Sequence, residues 1–298
     1  MTIVFALPGN EVLADQLTAR LGGVLGTLEI RQFPDGESYV RLEQDVAGKH
    51  VLLACSLAQP DAQALRLIFA ADAARDIGAR SITLIAPYLA YMRQDHRFRP
   101  GEAISSHSFA RLLSRSFDRV VTVSPHLHRY RALSELYSIE AIALDASPLL
   151  AAWVAANVAQ PLLIGPDSES EQWVARVAEL AGAPYAVGKK IRSGDRSVSI
   201  ALPSLLHHQG RQPIIIDDII SSGETMRKAA ATLRTAGFSK PICLAVHDLQ
   251  GNQDARLLAQ AVDRVVTTDS VPGAKDAIVL APLIAAALSI PAHSAATG

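Results

Sequence analysis

Cysteine is nearly absent: Cys55 and Cys243 are the only two in 298 residues. Both lie in apolar, strand-like runs. A disulfide framework is excluded, and buried free thiols in a reducing compartment are the reading. Aromatic residues are scarce as well, at 5%. Alanine is abundant instead, which suits close packing of helices on sheets. Charge nearly cancels, leaving a net −1, so no global field draws the chain to nucleic acid or an anionic membrane. Long hydrophobic runs are missing: the apolar stretch near Ala281–Leu288 is too short to span a bilayer. The N-terminus lacks a basic region before its apolar run and turns acidic quickly. It reads as a strand and helix and not as a signal peptide. The expectation is a soluble, cytoplasmic protein without a nucleic-acid or membrane partner.

What is present is alternation. Short β-branched runs at Ile3–Leu7, Leu28–Phe33, Tyr39–Leu42, His50–Ser56, Ile82–Ala86 and Val120–Val123 read as strands. Helical patterns at Glu11–Leu21, Asp61–Ile77 and Ile104–Ser116 fall between them. The second half continues with strands at Leu162–Ile164, Tyr185–Val187, Val198–Ala201, Ile214–Ile216, Ile242–Val246 and Val265–Thr267. This order predicts an α/β fold of doubly wound parallel sheets. A faint repeat supports two similar domains: Asp118-Arg119-Val120-Val121-Thr122 recurs as Asp263-Arg264-Val265-Val266-Thr267. The predicted division is 1–145 and 146–298, with the C-terminal helix a candidate to pack back on the first domain.

The most informative stretch is 213–237. A buried strand from Pro213 to Ile216 leads to Asp217 and Asp218, expected at its end. Ser221, Ser222, Gly223 and Thr225 then make a small, hydroxyl-rich turn into a helix that runs from Glu224 to about Ala236. The first amides of a helix have no internal partners, and the helix dipole favours an anion there. No Gly-Lys-Ser/Thr follows, so this is not a P-loop. Two acids beside an anion cradle make sense for a sugar phosphate, with phosphate on the loop and diol on the acids. The alternative is an ordinary strand–turn–helix whose acids cap the helix.

The run Asp217 to Thr225 resembles the phosphoribosyl pyrophosphate loop of phosphoribosyltransferases and ribose-phosphate pyrophosphokinases. Ser222 replaces the more usual Thr and keeps the hydroxyl. Glu224 stands where the pyrophosphokinases usually have Gly. The first half carries three further pieces. Phe33-Pro34-Asp35-Gly36-Glu37 is by itself a common turn. Arg93, Gln94 and Asp95, followed by Arg97 and Arg99, suit a polyphosphate and equally a solvated basic loop. His126 and His128 after the strand at 120–123 form a weak metal-ligand pattern when taken alone.

In this order the pieces resemble the ribose-phosphate pyrophosphokinase family over nearly the whole chain. The run Arg97–Ser105 is similar to its archaeal-type branch. The resemblance implies an ATP site at Phe33, Asp35, Glu37, Arg93, Gln94, Asp95 and His126. It implies a ribose 5-phosphate site at Asp167, Asp217, Asp218, Ser221, Ser222, Gly223 and Thr225. Lys190 and Arg192 match a catalytic Lys-x-Arg pair on a mobile loop, flanked here by Ser193-Gly194-Asp195. His126 and Asp167 match contacts to Mg²⁺. The implied reaction transfers pyrophosphate from ATP to ribose 5-phosphate in a homo-oligomer (dimer, tetramer or hexamer). Two departures stand out: Ser124 replaces the Asp two before His126, and Ser168-Glu169-Ser170-Glu171 replaces small residues after Asp167. They motivate one other reading, a catalytically silent regulatory paralogue, and the shared sugar-phosphate loop leaves a second, a phosphoribosyltransferase.

Overall fold

The structure, a computed structural model, describes residues 1–193, 197–274 and 276–289; the side chains of 191–193 and 197–199 lie outside the description. The chain divides into two compact units. One comprises Met1–Leu144 and the chain from Val279 onward; the other is Asp145–Ile278.

The first unit opens with β1 (Thr2–Ala6), α1 (Glu11–Leu21) and β2 (Val24–Leu25), followed by β3 (Leu28–Gln32) and β4 (Ser38–Leu42). Next come β5 (His50–Ala54), α2 (Pro60–Asp76), β6 (Ser81–Ala86), α3 (Ser105–Ser116), β7 (Arg119–Val123) and β8 (Glu140–Leu144). Six strands form a parallel sheet in the order β2-β1-β5-β6-β7-β8. Its central strands are apolar on both faces, as a parallel sheet covered by helices requires: Val51, Leu52, Leu53, Ile82, Leu84, Ile85, Val120 and Val121 are all buried. β3 and β4 leave this sheet and pair antiparallel with each other as a separate ribbon.

The second unit runs α4 (Ser147–Asn157), β9 (Pro161–Gly165), α5 (Glu171–Ala181), β10 (Tyr185–Val187), β11 (Lys189–Ser193) and β12 (Ser197–Ala201). It continues with β13 (Gln212–Ile220), α6 (Glu224–Thr235), β14 (Ile242–Asp248), α7 (Asn252–Ala261) and β15 (Arg264–Thr267). Five strands form a parallel sheet in the order β10-β9-β13-β14-β15, while β11 and β12 make an antiparallel hairpin outside it. The last helix, α8 (Ala281–Leu288), packs on α1 and β8 of the first unit.

The predicted doubly wound α/β fold is present in both units. The repeated pentapeptide marks equivalent places: β7 and β15 each follow the fourth strand of a matching order. The main-chain N–H of Asp118 donates to Ile82 O at 2.9 Å, and that of Asp263 donates to Pro241 O at 2.8 Å. One expectation is corrected. Asp217 and Asp218 lie inside β13 and not beyond its end, because β13 continues to pair with β14 as far as Ile220 opposite Asp248. On its other side, pairing with β9 stops at Ile215 opposite Ile164. The acids therefore sit on a strand with one bonded neighbour and one open flank.

Candidate active site

In the second unit, the open flank of β13 is filled by the turn after β9. Asp167 is buried there and ends the extended chain. Its Oδ1 accepts N–H bonds from Glu169 (3.0 Å) and Ser170 (3.2 Å), while Ser170 Oγ donates back to Asp167 O at 2.6 Å. Its Oδ2 pairs with Lys190 Nζ, carried by β11. The acidic run forms a 3₁₀ turn at Ser168–Ser170 and the first residue of α5, with Ser168, Glu169 and Glu171 exposed. Acids are favoured at a helix N-terminus, so this departure has a local electrostatic reason.

Asp217 is half-buried and Asp218 is buried. Removal from water pushes the Asp217 carboxyl above its ordinary range, and the charges of Asp218 and Asp167 push it further. The N–H of Asp218, which donates to Asp217 Oδ1 at 3.0 Å, opposes this only in part. Three carboxylates that repel one another, two on β13 and one on the turn after β9, make a site that suits a cation or hydroxyl donors.

The turn 221–225 follows directly. Gly223 has φ +67°, and a Cβ there would stand 2.5 Å from Gln250 Nε2, so glycine both permits the left-handed turn and leaves room beneath it. α6 begins at Glu224, and its first amides face the turn without intrahelical partners. The Glu224 side chain is exposed and turned along its own helix to Lys228, at 2.6 Å. It leaves the anion cradle to Ser221, Ser222 and Thr225.

Gly188 sets where the hairpin starts. A Cβ there would meet Pro166 O at 2.7 Å and Ile200 Cγ2 at 2.9 Å. Its own N–H donates to Gly165 O at 2.8 Å. Gly188→Ala should force β11 away from the Pro166–Asp167 turn and loosen Lys190 from Asp167. The expected cost is about 1–3 kcal/mol of stability, read as a lower melting temperature with a lower turnover. Arg192 lies on β11 opposite Val198; its side chain, and Gly194 and Asp195, fall outside the described residues.

In the first unit the candidate residues occupy two loops at the carboxyl edge of the sheet, where ligands of open α/β sheets bind. Arg93 is exposed, and Gln94 and Asp95 are half-buried, in the loop after β6. The basic stretch beyond them is organised by Glu102, whose carboxylate accepts the N–H bonds of Phe98 (2.8 Å) and Arg99 (3.0 Å). Tyr91 has φ +62° and donates its hydroxyl to Asp61. That bond, ahead of burial and the Asp61 charge, pushes the Tyr91 hydroxyl up to about 12. After β7, Ser124 has φ +40°, a conformation in which Asp and Asn are enriched. The family's usual Asp at this place is thus compatible with the backbone that Ser124 adopts. His126 is half-buried, with its ring 3.9 Å from that of His128.

The Phe33–Glu37 turn is built differently. It tips the β3–β4 ribbon, with Gly36 N–H donating to Phe33 O (2.9 Å) and Glu37 N–H to Asp35 Oδ1 (3.1 Å). The Arg31 guanidinium lies over both Phe33 (4.7 Å) and Tyr39 (4.1 Å). Among the described residues, no hydrogen bond, ion pair or ring contact joins this turn to residues 93–95. The reason is topological, since the ribbon is not a strand of the sheet that carries that loop.

Comparison with known proteins gives these sites a family. Residues 2–116 match a model for the N-terminal domain of ribose phosphate pyrophosphokinase, and residues 132–284 match a phosphoribosyl transferase domain. A ribose-phosphate pyrophosphokinase of Halobacterium salinarum is 32% identical over 281 residues, 94% of this chain and 98% of that protein. One from Methanopyrus kandleri is 33% identical over 290 residues, 96% of this chain and 98% of the other. The chain belongs to the ribose-phosphate pyrophosphokinase family. A solved pyrophosphokinase fold agrees: phosphoribosylpyrophosphate synthetase from Mycobacterium smegmatis superposes with a TM-score of 0.83 at 26% identity, covering 96% of this chain and 97% of that one. The match of the N-terminal pyrophosphokinase domain disfavours a stand-alone phosphoribosyltransferase. Among the described residues, no helix is long and apolar enough to cross a membrane.

Reading the sequence as a pyrophosphokinase missed Arg129, Tyr130, His96 and His107, which gather around Asp95 in the first unit. The signal available was four polar, ring-bearing or cationic residues close to named loops. Nothing in their spacing separates such residues from ordinary surface positions.

Proposed function

We propose that the chain catalyses ATP plus ribose 5-phosphate to phosphoribosyl pyrophosphate plus AMP. The observation that carries this reading is the second unit's pairing of a phosphate cradle at 221–225 with a carboxylate cluster at Asp167, Asp217 and Asp218. The first unit adds a separate donor set at Arg93, Gln94 and His126.

In this mechanism the cradle takes the 5-phosphate through Ser221, Ser222, Thr225 and the amides at the start of α6. Asp217 and Asp218 orient the ribose hydroxyls. The C1 hydroxyl attacks the β-phosphorus of ATP in line. A C1–O–P bond forms, the bond from the β-phosphorus to the bridging oxygen breaks, AMP leaves with that oxygen, and the C1 hydroxyl proton is released. Such transfers depend on positioning and charge neutralisation. Lys190 and Arg192 supply positive charge as negative charge shifts to the leaving oxygen. Arg93, Gln94 and His126 hold the triphosphate. Phe33, Asp35 and Glu37 are assigned to the nucleotide. Asp95 acts through the loop that it holds.

Magnesium takes oxygen ligands, and the repulsion that raises Asp217 is the feature that a cation relieves. Asp167 in the second unit and His126 in the first are the proposed contacts to Mg²⁺. When bound, the ion neutralises phosphate charge. Asp167 is committed to Lys190 and to the turn after β9, so it would meet the ion by sharing its carboxylate.

A homo-oligomer is part of the proposal. Leu65 (61% exposed) and Phe69 (41% exposed) stand four residues apart on α2, one face of the helix. The activity is tested by incubating the full chain with ATP, Mg²⁺ and ribose 5-phosphate. AMP and phosphoribosyl pyrophosphate should appear in equal amounts. Consumption of added phosphoribosyl pyrophosphate with a nucleobase, without AMP formation from ATP, would make it a transferase instead. ATP binding without either reaction would favour the silent paralogue.

A further inference from the structure

We propose that Arg129 and Tyr130 are positioning residues that lock the 93–95 loop to the loop carrying His126. The inference rests on the reading of Arg93, Gln94 and His126 as the ATP-phosphate site. It adds residues for which that reading gives no role.

The geometry lies within the first unit. The Asp95 side chain is only 8% exposed, so its carboxylate faces protein and not a ligand in open solvent. The His96 Nδ1 stands 2.7 Å from Asp95 Oδ1. Arg129 Nε lies 3.4 Å from the same oxygen and 3.0 Å from His96 Nδ1. The guanidinium thus closes over a carboxylate–imidazole pair. The next residue holds the same loop by its main chain: Tyr130 OH donates to Asp95 O at 3.1 Å. His107 Nε2, on α3, braces the Tyr130 hydroxyl at 2.8 Å. Arg129 and Tyr130 follow His126 by three and four positions. One short stretch therefore carries His126 and grips both the side chain and the carbonyl of Asp95.

The consequence is mutual. Arg93 and Gln94 directly precede the gripped residue, and Gln94 O also accepts the N–H of Ser106 at 3.3 Å at the start of α3. Two loops from different strands are thereby held as one surface. Donors fixed before ATP arrives need not be ordered by it, which is the gain of preorganisation. The Arg129 side chain is 56% exposed. An exposed ion pair adds little to global stability, so its removal should register in ATP affinity and leave the melting temperature nearly unchanged.

The test uses the full chain and the variants Arg129→Ala, Arg129→Lys and Tyr130→Phe. ATP·Mg²⁺ binding is read by calorimetry, and KM for each substrate by AMP formation. Arg129→Ala should weaken ATP binding by about tenfold or more, with the KM for ribose 5-phosphate within about twofold of wild type. Arg129→Lys should recover part of the loss, and Tyr130→Phe should show a smaller loss in the same direction. ATP affinity equal to wild type in Arg129→Ala and Tyr130→Phe would overturn the proposal. So would equal losses for both substrates, which would indicate a general structural role. If Arg129→Ala fails to fold, Arg129→Lys and Tyr130→Phe decide by the same readout. A wild-type chain that binds ATP without forming AMP would sink the catalytic reading while calorimetry still judges this one. A wild-type chain that does not bind ATP overturns both.

Discussion

Replacing Lys190 by alanine is expected to lower the rate of phosphoribosyl pyrophosphate formation by about 10²–10³-fold. The loss should fall on kcat. In the absence of substrate the ammonium group rests on Asp167, so it does not hold the sugar phosphate through the 221–225 cradle. Its role in the proposed reaction begins when negative charge builds on the transferred group, and an interaction made only at that stage affects turnover more than affinity. Initial rates at varied ribose 5-phosphate check this. A Lys190→Ala chain with normal kcat and a raised KM would place Lys190 in substrate binding. Asp167 would also lose a partner, and its uncompensated charge would add to the repulsion that Asp217 already feels.

The Asp217→Asn chain should lose turnover by a similar factor, about 10²–10³, and yet melt at a higher temperature than wild type at pH 7.5. The sign follows from linkage. The Asp217 carboxyl is raised above its unfolded value of 3.8 by burial and then by Asp218 and Asp167. Between 3.8 and the folded value, the folded chain holds a proton that the unfolded chain has lost. Stability therefore falls as pH rises through that window, and above it the ionised acid is a standing cost. An amide removes the cost, and each 1 kcal/mol recovered raises the melting temperature by roughly 2–4 °C. The gap between variant and wild type should narrow as pH is lowered towards 5, and it should narrow at pH 7.5 when Mg²⁺ and ribose 5-phosphate are added. A variant that melts lower than wild type at every pH would show that the carboxylate stabilises the unliganded protein. Function at this site thus opposes stability, a pattern common where charges are gathered for a ligand.

Much of this was legible in the sequence, for reasons that differ by residue. The parallel strands declare themselves through doubly buried apolar runs such as Val51–Leu53 and Ile214–Ile216. The cradle declares itself because a strand, a glycine with positive φ and a helix start must follow one another in sequence. The open flank beside Asp217 and Asp218 was less legible. It depends on β9 stopping at Gly165 while β14 continues to Asp248, and strand lengths in neighbours are not written in the strand itself. β8 went unread because its pattern mixes half-buried and exposed positions. The hairpin β11–β12 read as a loop followed by a strand, since Lys189, Lys190 and Arg192 give β11 no apolar alternation. The Lys190–Asp167 pair joins residues chosen separately for their likeness to a family motif; only the fold brings them together. Arg129 and Tyr130 carried no signal, because their partners come from the loop after another strand.

The most direct measurement follows the oxygen on C1. Ribose 5-phosphate carrying ¹⁸O at C1 would be incubated with ATP and Mg²⁺, and the product examined by ³¹P NMR. If the C1 hydroxyl attacks the β-phosphorus, the heavy oxygen remains between C1 and phosphorus in the phosphoribosyl pyrophosphate, and AMP carries none. Heavy oxygen found in AMP, product without the label at C1 while the unreacted ribose 5-phosphate still carries it, or no product above the Lys190→Ala control, would contradict the proposed transfer.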